Sequence, residues 1–279
     1  MKILRHIAIQ GSKEKPITLD VFYKSNNKPK PVVIFVHGFK GFKDWGHFNM
    51  LAETFAEADC VFVKFNFSYN GTTPQSPLSF EDLEAFGNNN YLIELEDLDL
   101  VLNWVLNNSE LQKEINKYQV CLLGHSRGGG ISILKASEDS RITKLVTWAA
   151  VSDFINRNQQ HTIDRWSEQG VIYTFNTRTK QQMPLYYQFY ETIQQNKSRL
   201  NIIKAANQLN MPFLIIHGTA DEAVSIQDAK ELHKACKYSE LLILDGAGHT
   251  FEVRHPFYEE YFPDSAQIVI NNTLRFIKS

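Results

Sequence analysis

Cysteine is scarce in this chain: there are three in 279 residues, Cys60, Cys121 and Cys236, far apart and odd in number. Two of them sit in apolar runs (CVFV and VCLL), the setting of a small buried thiol. The paired spacing that metal ligation needs is absent. Long apolar runs are also lacking, so no segment reads as a bilayer span. The N-terminus, MKILRHIAIQGSKEKPITLD, alternates apolar and polar residues. It has neither the apolar core nor the small-residue cleavage site of a signal peptide. No charge sign dominates: 29 Lys and Arg face 31 Asp and Glu, a net charge of -2. Neither nucleic acid nor an anionic membrane is implied as a partner. There is no internal repeat and no low-complexity tract. The stretch GHSRGGG lacks the Gly-Lys-Ser/Thr ending of a phosphate loop. The expectations are a cytoplasmic protein, with no cofactor, no metal, no nucleic acid and no membrane partner, as a monomer or homodimer.

What is there is an alternation. Six β-like apolar runs, at about 31–38, 60–68, 118–126, 144–151, 212–218 and 240–249, are separated by helical patterns. The helical segments cover about 46–58, 95–106, 128–138, 226–236 and 264–278. This order predicts a mostly parallel, doubly wound sheet covered on both faces. Residues 2–24 read as an antiparallel hairpin leading into it. One interval breaks the rhythm: 152–208 is too long for an ordinary connection and is rich in Gln, Asn and aromatics. It is expected to be a small insertion over the C-terminal edge of a single domain spanning 1–279. Within it, GVIYTFNTRTKQQMPL reads as a hairpin and YYQFYETIQQNKSRLNIIKAANQL as a helix.

Ligands of open α/β sheets bind beyond the carboxyl ends of the strands. At those ends stand Ser126, Asp221 and His249, in the chain order Ser…Asp…His. Gly-His-Ser-Arg-Gly at 124–128 lets a strand turn sharply into a helix with the serine hydroxyl exposed, and the helix N-terminus favours a developing anion. A serine hydroxyl needs a base, and His249, between the last strand and Thr250, is the imidazole placed to supply it. The other histidines at strand ends, His37, His125 and His217, read as structural. Asp221 is preferred as the acid on strand order, against its reading as a turn or N-cap aspartate; Asp245 and Asp153 are the rivals. For an oxyanion hole, the backbone N–H groups of Arg127 and Phe39 are the donors at the expected places. The remaining aromatic residues of 39–48 read mainly as packing.

With these residues the chain resembles the α/β-hydrolase superfamily over about 5–278, through HGFKGFKDW, GHSRGG, HGTADEAV and GAGHTF. More narrowly it is similar to small carboxylesterases of the cinnamoyl or feruloyl esterase type and to serine-aminopeptidase-like hydrolases. The resemblance implies an α/β-hydrolase fold with a small cap after the sixth sheet strand, at 152–208. It also implies Ser126 as nucleophile, His249 as base, Asp221 as acid, and Phe39 and Arg127 as oxyanion donors. Arg127 departs from the apolar or amide residue that many relatives carry after the nucleophile. Its guanidinium is open to two uses, pairing with an acid under the cap or favouring anionic substrates.

The function these readings predict is hydrolysis of a carboxylic ester on a small molecule, with an aromatic acyl group as one candidate. The same triad admits peptide or amide cleavage. A ligand-binding protein without turnover is the third reading, and a complete Ser-His-Asp set argues against it.

Overall fold

The computed structural model describes residues 1–279. Strand β1 (Lys2–Gln10) pairs antiparallel with β2 (Pro16–Tyr23), which pairs antiparallel with β4 (Val61–Asn66). Between these last two in sequence come β3 (Lys30–Val36) and α1 (Phe48–Glu57). The chain continues through α2 (Leu83–Asn88), α3 (Tyr91–Asn107), β5 (Ile115–His125), α4 (Arg127–Glu138) and β6 (Lys144–Trp148). Then come α5 (Gln160–Gln169), β7 (Val171–Asn176), β8 (Gln181–Tyr186), α6 (Gln188–Gln195) and α7 (Ile202–Gln208). The last elements are β9 (Phe213–Gly218), α8 (Ile226–Ala235), β10 (Ser239–Leu244) and α9 (Asp264–Lys278). Eight strands form one sheet in the order β1-β2-β4-β3-β5-β6-β9-β10, parallel from β4 to β10. This is the α/β-hydrolase fold.

The central strands read as continuous apolar runs because both faces are covered. In β3 the period of two is plain: Val32, Ile34 and Val36 enter one core, and Val33 and Phe35 enter the other. The first core takes the apolar stripes of α3, α4, α7 and α8; the second takes those of α1 and α9. Helix α3 starts at Tyr91, earlier than its leucine spacing implies, because the Asn90 side chain accepts from the N–H groups of Leu92 and Ile93. No helix is long and apolar enough to cross a membrane.

Between β6 and β9 the expected hairpin forms, β7 with β8, over nearly the predicted residues. The single helix expected after it is two. The first ends at Gln195, and Asn201 then caps a new one by accepting from the N–H of Lys204. Helix α5 precedes the hairpin; its ten residues carry one buried side chain, Trp166, and few apolar residues to announce it. The predicted strand 144–151 ends at Trp148, where the chain turns through Ala149 at a φ of 50°.

Candidate active site

Ser126 stands between β5 and α4 with φ 57° and ψ -121°. A non-glycine residue rarely adopts this backbone, and here surrounding packing holds it. The glycines explain how. A Cβ on Gly124 would lie 2.4 Å from the carbonyl oxygen of Gly128, and one on Gly128 would lie 2.2 Å from that of Val36. Both positions admit only hydrogen, so the helix can start directly against the strands. A Cβ on Gly129 would meet that of Ala150 at 2.4 Å, which brings α4 equally close to the chain beyond β6.

His249 and Asp221 reach Ser126 from two other strand exits. His249 Nε2 is 3.0 Å from Ser126 Oγ, and His249 Nδ1 is 2.8 Å from Asp221 Oδ2. The carboxylate accepts from Nδ1–H, so Nε2 presents its lone pair to the serine hydroxyl. The Asp221 carboxylate is fully buried, while His249 keeps 23% of its side chain exposed. Its other oxygen, Oδ1, accepts from the backbone N–H groups of Ala223 and Val224. Burial alone would raise the Asp221 carboxyl; the donors His217, His249 and Val224 outweigh it and hold the group well below the usual carboxylate range. The rival acids are elsewhere: Asp245 accepts from Thr219 Oγ1, and Asp153 from the N–H groups of Ile155 and Asn156.

Two of the histidines read as structural, His217 and His125, contact Asp221 and His249, and the third, His37, bonds the loop after β3. His217 Nε2 lies 2.9 Å from the carbonyl oxygen of Val224 and 3.2 Å from Asp221 Oδ2. Both neighbours accept, so Nε2 carries the proton. His125 Nε2 donates to the carbonyl oxygen of His249 at 2.9 Å. Burial, with the His249 imidazole beside it, pushes His125 down to about 3. His37, held at about 4 by burial, bonds the carbonyl oxygen of Gly38 through Nδ1.

The backbone N–H groups of Phe39 and Arg127 have no hydrogen-bond partner within the protein. A Cβ on Gly38 would come 3.0 Å from that of Ser126, so the loop after β3 runs against the serine. Beneath that loop lies a cluster that the sequence reading missed. Lys43 Nζ contacts Asp20 Oδ2 at 2.7 Å and Asp44 Oδ2 at 2.6 Å, and Lys64 Nζ contacts Asp20 Oδ2 at 2.8 Å and also Asp44. Lys43, Lys64 and Asp20 are fully buried. The signal was present: Lys64 interrupts the apolar run VFVKFNF.

The Arg127 guanidinium pairs with the buried Glu94, Nη1 to Oε1 at 3.4 Å, and stacks 4.0 Å above the Phe39 ring. Of its two sequence readings, pairing with an acid is the one found. Ser126 and His249 border two spaces. One, of about 410 Å³, lies under the segment between β6 and β9 and is walled mainly by apolar side chains such as Tyr91, Phe154, Trp166 and Phe189. The other, of about 140 Å³, is bordered by His37, Lys40, Trp45 and Thr250. A larger hollow, open to solvent and bordered by neither Ser126 nor His249, lies between α7 and α8. No three His, Cys, Asp or Glu side chains stand close enough together to hold a metal ion.

The curated Bacillus subtilis protein named uncharacterized peptidase YtmA is 30% identical over 128 residues, a match spanning 43% of this chain and 44% of that protein. Among solved structures, Est1E from Butyrivibrio proteoclasticus with ferulic acid bound superposes with a TM-score of 0.71 at 18% identity, covering 98% of each chain. The α/β hydrolase GrgF from Penicillium sp. sh18 superposes with a TM-score of 0.75 at 16% identity, covering 100% of this chain and 98% of that one. These two likenesses carry the fold. The model of the BD-FAE family matches residues 19–236, well over half of the chain. The chain belongs to the BD-FAE family and has the α/β-hydrolase fold.

Proposed function

We propose that this protein is a serine hydrolase that cleaves carboxylic esters of small molecules through an acyl-enzyme. The observation that carries this reading is the line of hydrogen bonds from Asp221 through His249 to Ser126, at 2.8 and 3.0 Å. His249 Nε2 takes the hydroxyl proton as Ser126 Oγ bonds to the ester carbon. The carbonyl electron pair moves onto oxygen, where the N–H groups of Phe39 and Arg127 receive it. The imidazolium returns its proton to the departing alkoxide as the carbon–oxygen bond breaks. Water then repeats the sequence on the acyl-enzyme, releasing the acid and restoring Ser126. Asp221 stabilises the transient imidazolium.

The cavity of about 410 Å³ beside Ser126 fits an apolar or aromatic acyl group, and the segment 152–208 acts as its roof. A fluorophosphonate probe tests the nucleophile. Wild type is labelled and Ser126→Ala is not; equal labelling of the two sinks the proposal. The likeness to a protein named a peptidase supports amide cleavage as a second reading on the same triad. Comparing methyl and p-nitrophenyl esters with aminoacyl anilides separates the two, since preference for the anilide favours the peptidase.

A further inference from the structure

The wall of the cavity of about 410 Å³ beside Ser126 contains no carboxylate and two guanidinium groups, those of Arg127 and Arg157. Arg127 is committed: it pairs with Glu94 and stacks on Phe39, Tyr91 and Phe189. Arg157 is not. The one carboxylate oxygen within 4 Å of its guanidinium is Asp228 Oδ1 at 3.9 Å, beyond hydrogen-bond reach. That oxygen already accepts from the N–H of Ser152 at 2.7 Å and from its hydroxyl at 3.0 Å. Asp153, four residues earlier, gives both carboxylate oxygens to backbone N–H groups. Arg157 is left with its donors free, 39% of its side chain exposed, beside the Asn158 amide in the same wall.

We propose that Arg157 and Asn158 form a carboxylate subsite, so that the preferred substrates are esters whose acyl group is apolar in the middle and carries an anionic carboxylate at its far end. The proposal rests on the esterase reading and narrows its substrate class. The planar fork of an arginine matches a carboxylate with two parallel hydrogen bonds. The apolar walls take the middle of the acyl group. The space of about 140 Å³ on the other side of Ser126 suits a small leaving alcohol.

The test uses three methyl esters of 3-phenylpropanoic acid, bearing carboxylate, carboxamide or methyl at the ring position opposite the chain. Acid release is followed by chromatography. Wild type is expected to favour the carboxylate over the carboxamide by about tenfold or more in kcat/KM, mainly through KM. The preference shrinks as salt is raised. In Arg157→Gln the ratio falls to within about twofold of one. In Arg165→Gln, an exposed arginine on α5, the ratio stays as in wild type. The subsite is overturned if wild type shows no preference, or if Arg157→Gln keeps it. Calorimetry of the same esters on Ser126→Ala reads binding without turnover. Selective, Arg157-dependent binding with no hydrolysis by wild type would fail the esterase reading and keep the subsite; hydrolysis without selectivity would do the reverse.

Discussion

Asp221 Oδ2 is shared by two imidazoles: His249 Nδ1 at 2.8 Å and His217 Nε2 at 3.2 Å. The second contact adds an N–H beside the same carboxylate oxygen. His217 is expected to act as a positioning residue for the proposed triad. Replacing it with leucine removes one donor from a buried carboxylate, a loss of about 1.5–3 kcal/mol. We expect kcat to fall about tenfold or more with KM little changed, and His217→Gln, which keeps an N–H donor, to recover part of it. A purely structural His217 would lower the melting temperature without moving kcat of the folded fraction.

Asp221→Asn tests the acid itself. The amide can sit in the same place, but it offers the wrong partner to His249 Nδ1–H. Steady-state kinetics on a methyl ester are expected to show kcat reduced by about 10⁴-fold, with the fold intact by circular dichroism. Asp245→Asn, at a carboxylate bonded to Thr219, should leave kcat within about twofold of wild type. Reversal of these two results would hand the role to Asp245.

Arg127 and Glu94 are expected to couple in stability. Burial raises the Glu94 carboxyl, and Arg127 opposes that effect. Arg127→Gln leaves the carboxylate buried with Asn89 as its remaining donor, at a cost of about 3 kcal/mol. Adding Glu94→Gln removes the uncompensated charge and should restore much of that loss. Urea denaturation of the two single variants and the double variant measures the coupling. Additive losses would show that the pair does not interact.

Acid stability should depend on Asp20. Burial acts to raise its carboxyl, but Lys64 and Lys43 outweigh it and hold it at about 2, against an ordinary 3.8. A depressed carboxyl stabilises the fold above its unfolded value, and that contribution is lost as pH falls from 3.8 through about 2. The amount is about 2 kcal/mol. Asp20→Asn is expected to lose more than this at pH 7, because two ammonium groups then share Asp44 alone. Its deficit relative to wild type should narrow between about pH 4 and pH 2. Parallel stability curves for the two proteins would contradict the role of this charge.

Two glycines should differ sharply in what alanine costs them. At Gly128 the added Cβ would stand 2.2 Å from a backbone oxygen, with no flexible side chain to yield. Gly128→Ala is expected to give little folded protein. At Gly170 nothing lies within 4 Å, and the cost is the φ of +71° alone, about 1–2 kcal/mol. Soluble yield and melting temperature of both variants check the contrast.

The alternation of strands and helices, the glycine-framed turn and the three strand-exit residues were legible because each is local. A buried strand is a short apolar run, and an elbow needs small residues at fixed offsets from Ser126. Other features were not legible. Asp20 and Lys64 are cross-strand partners in the β2–β4 register, 44 positions apart in the chain. The break between α6 and α7 comes from one asparagine cap inside an otherwise helical pattern.

The order of the elements, the apolar faces and the candidate nucleophile, base and acid follow from neighbouring residues alone. Steric demand and hydrophobic period act over a few residues and leave their mark in adjacent positions. That His217 reaches Asp221 and that Arg127 is taken by Glu94 depends on the packed fold. The same holds for Arg157, left free beside the cavity. Each of these depends on the direction in which a side chain leaves its own turn or helix, and on the packing of segments distant in the chain.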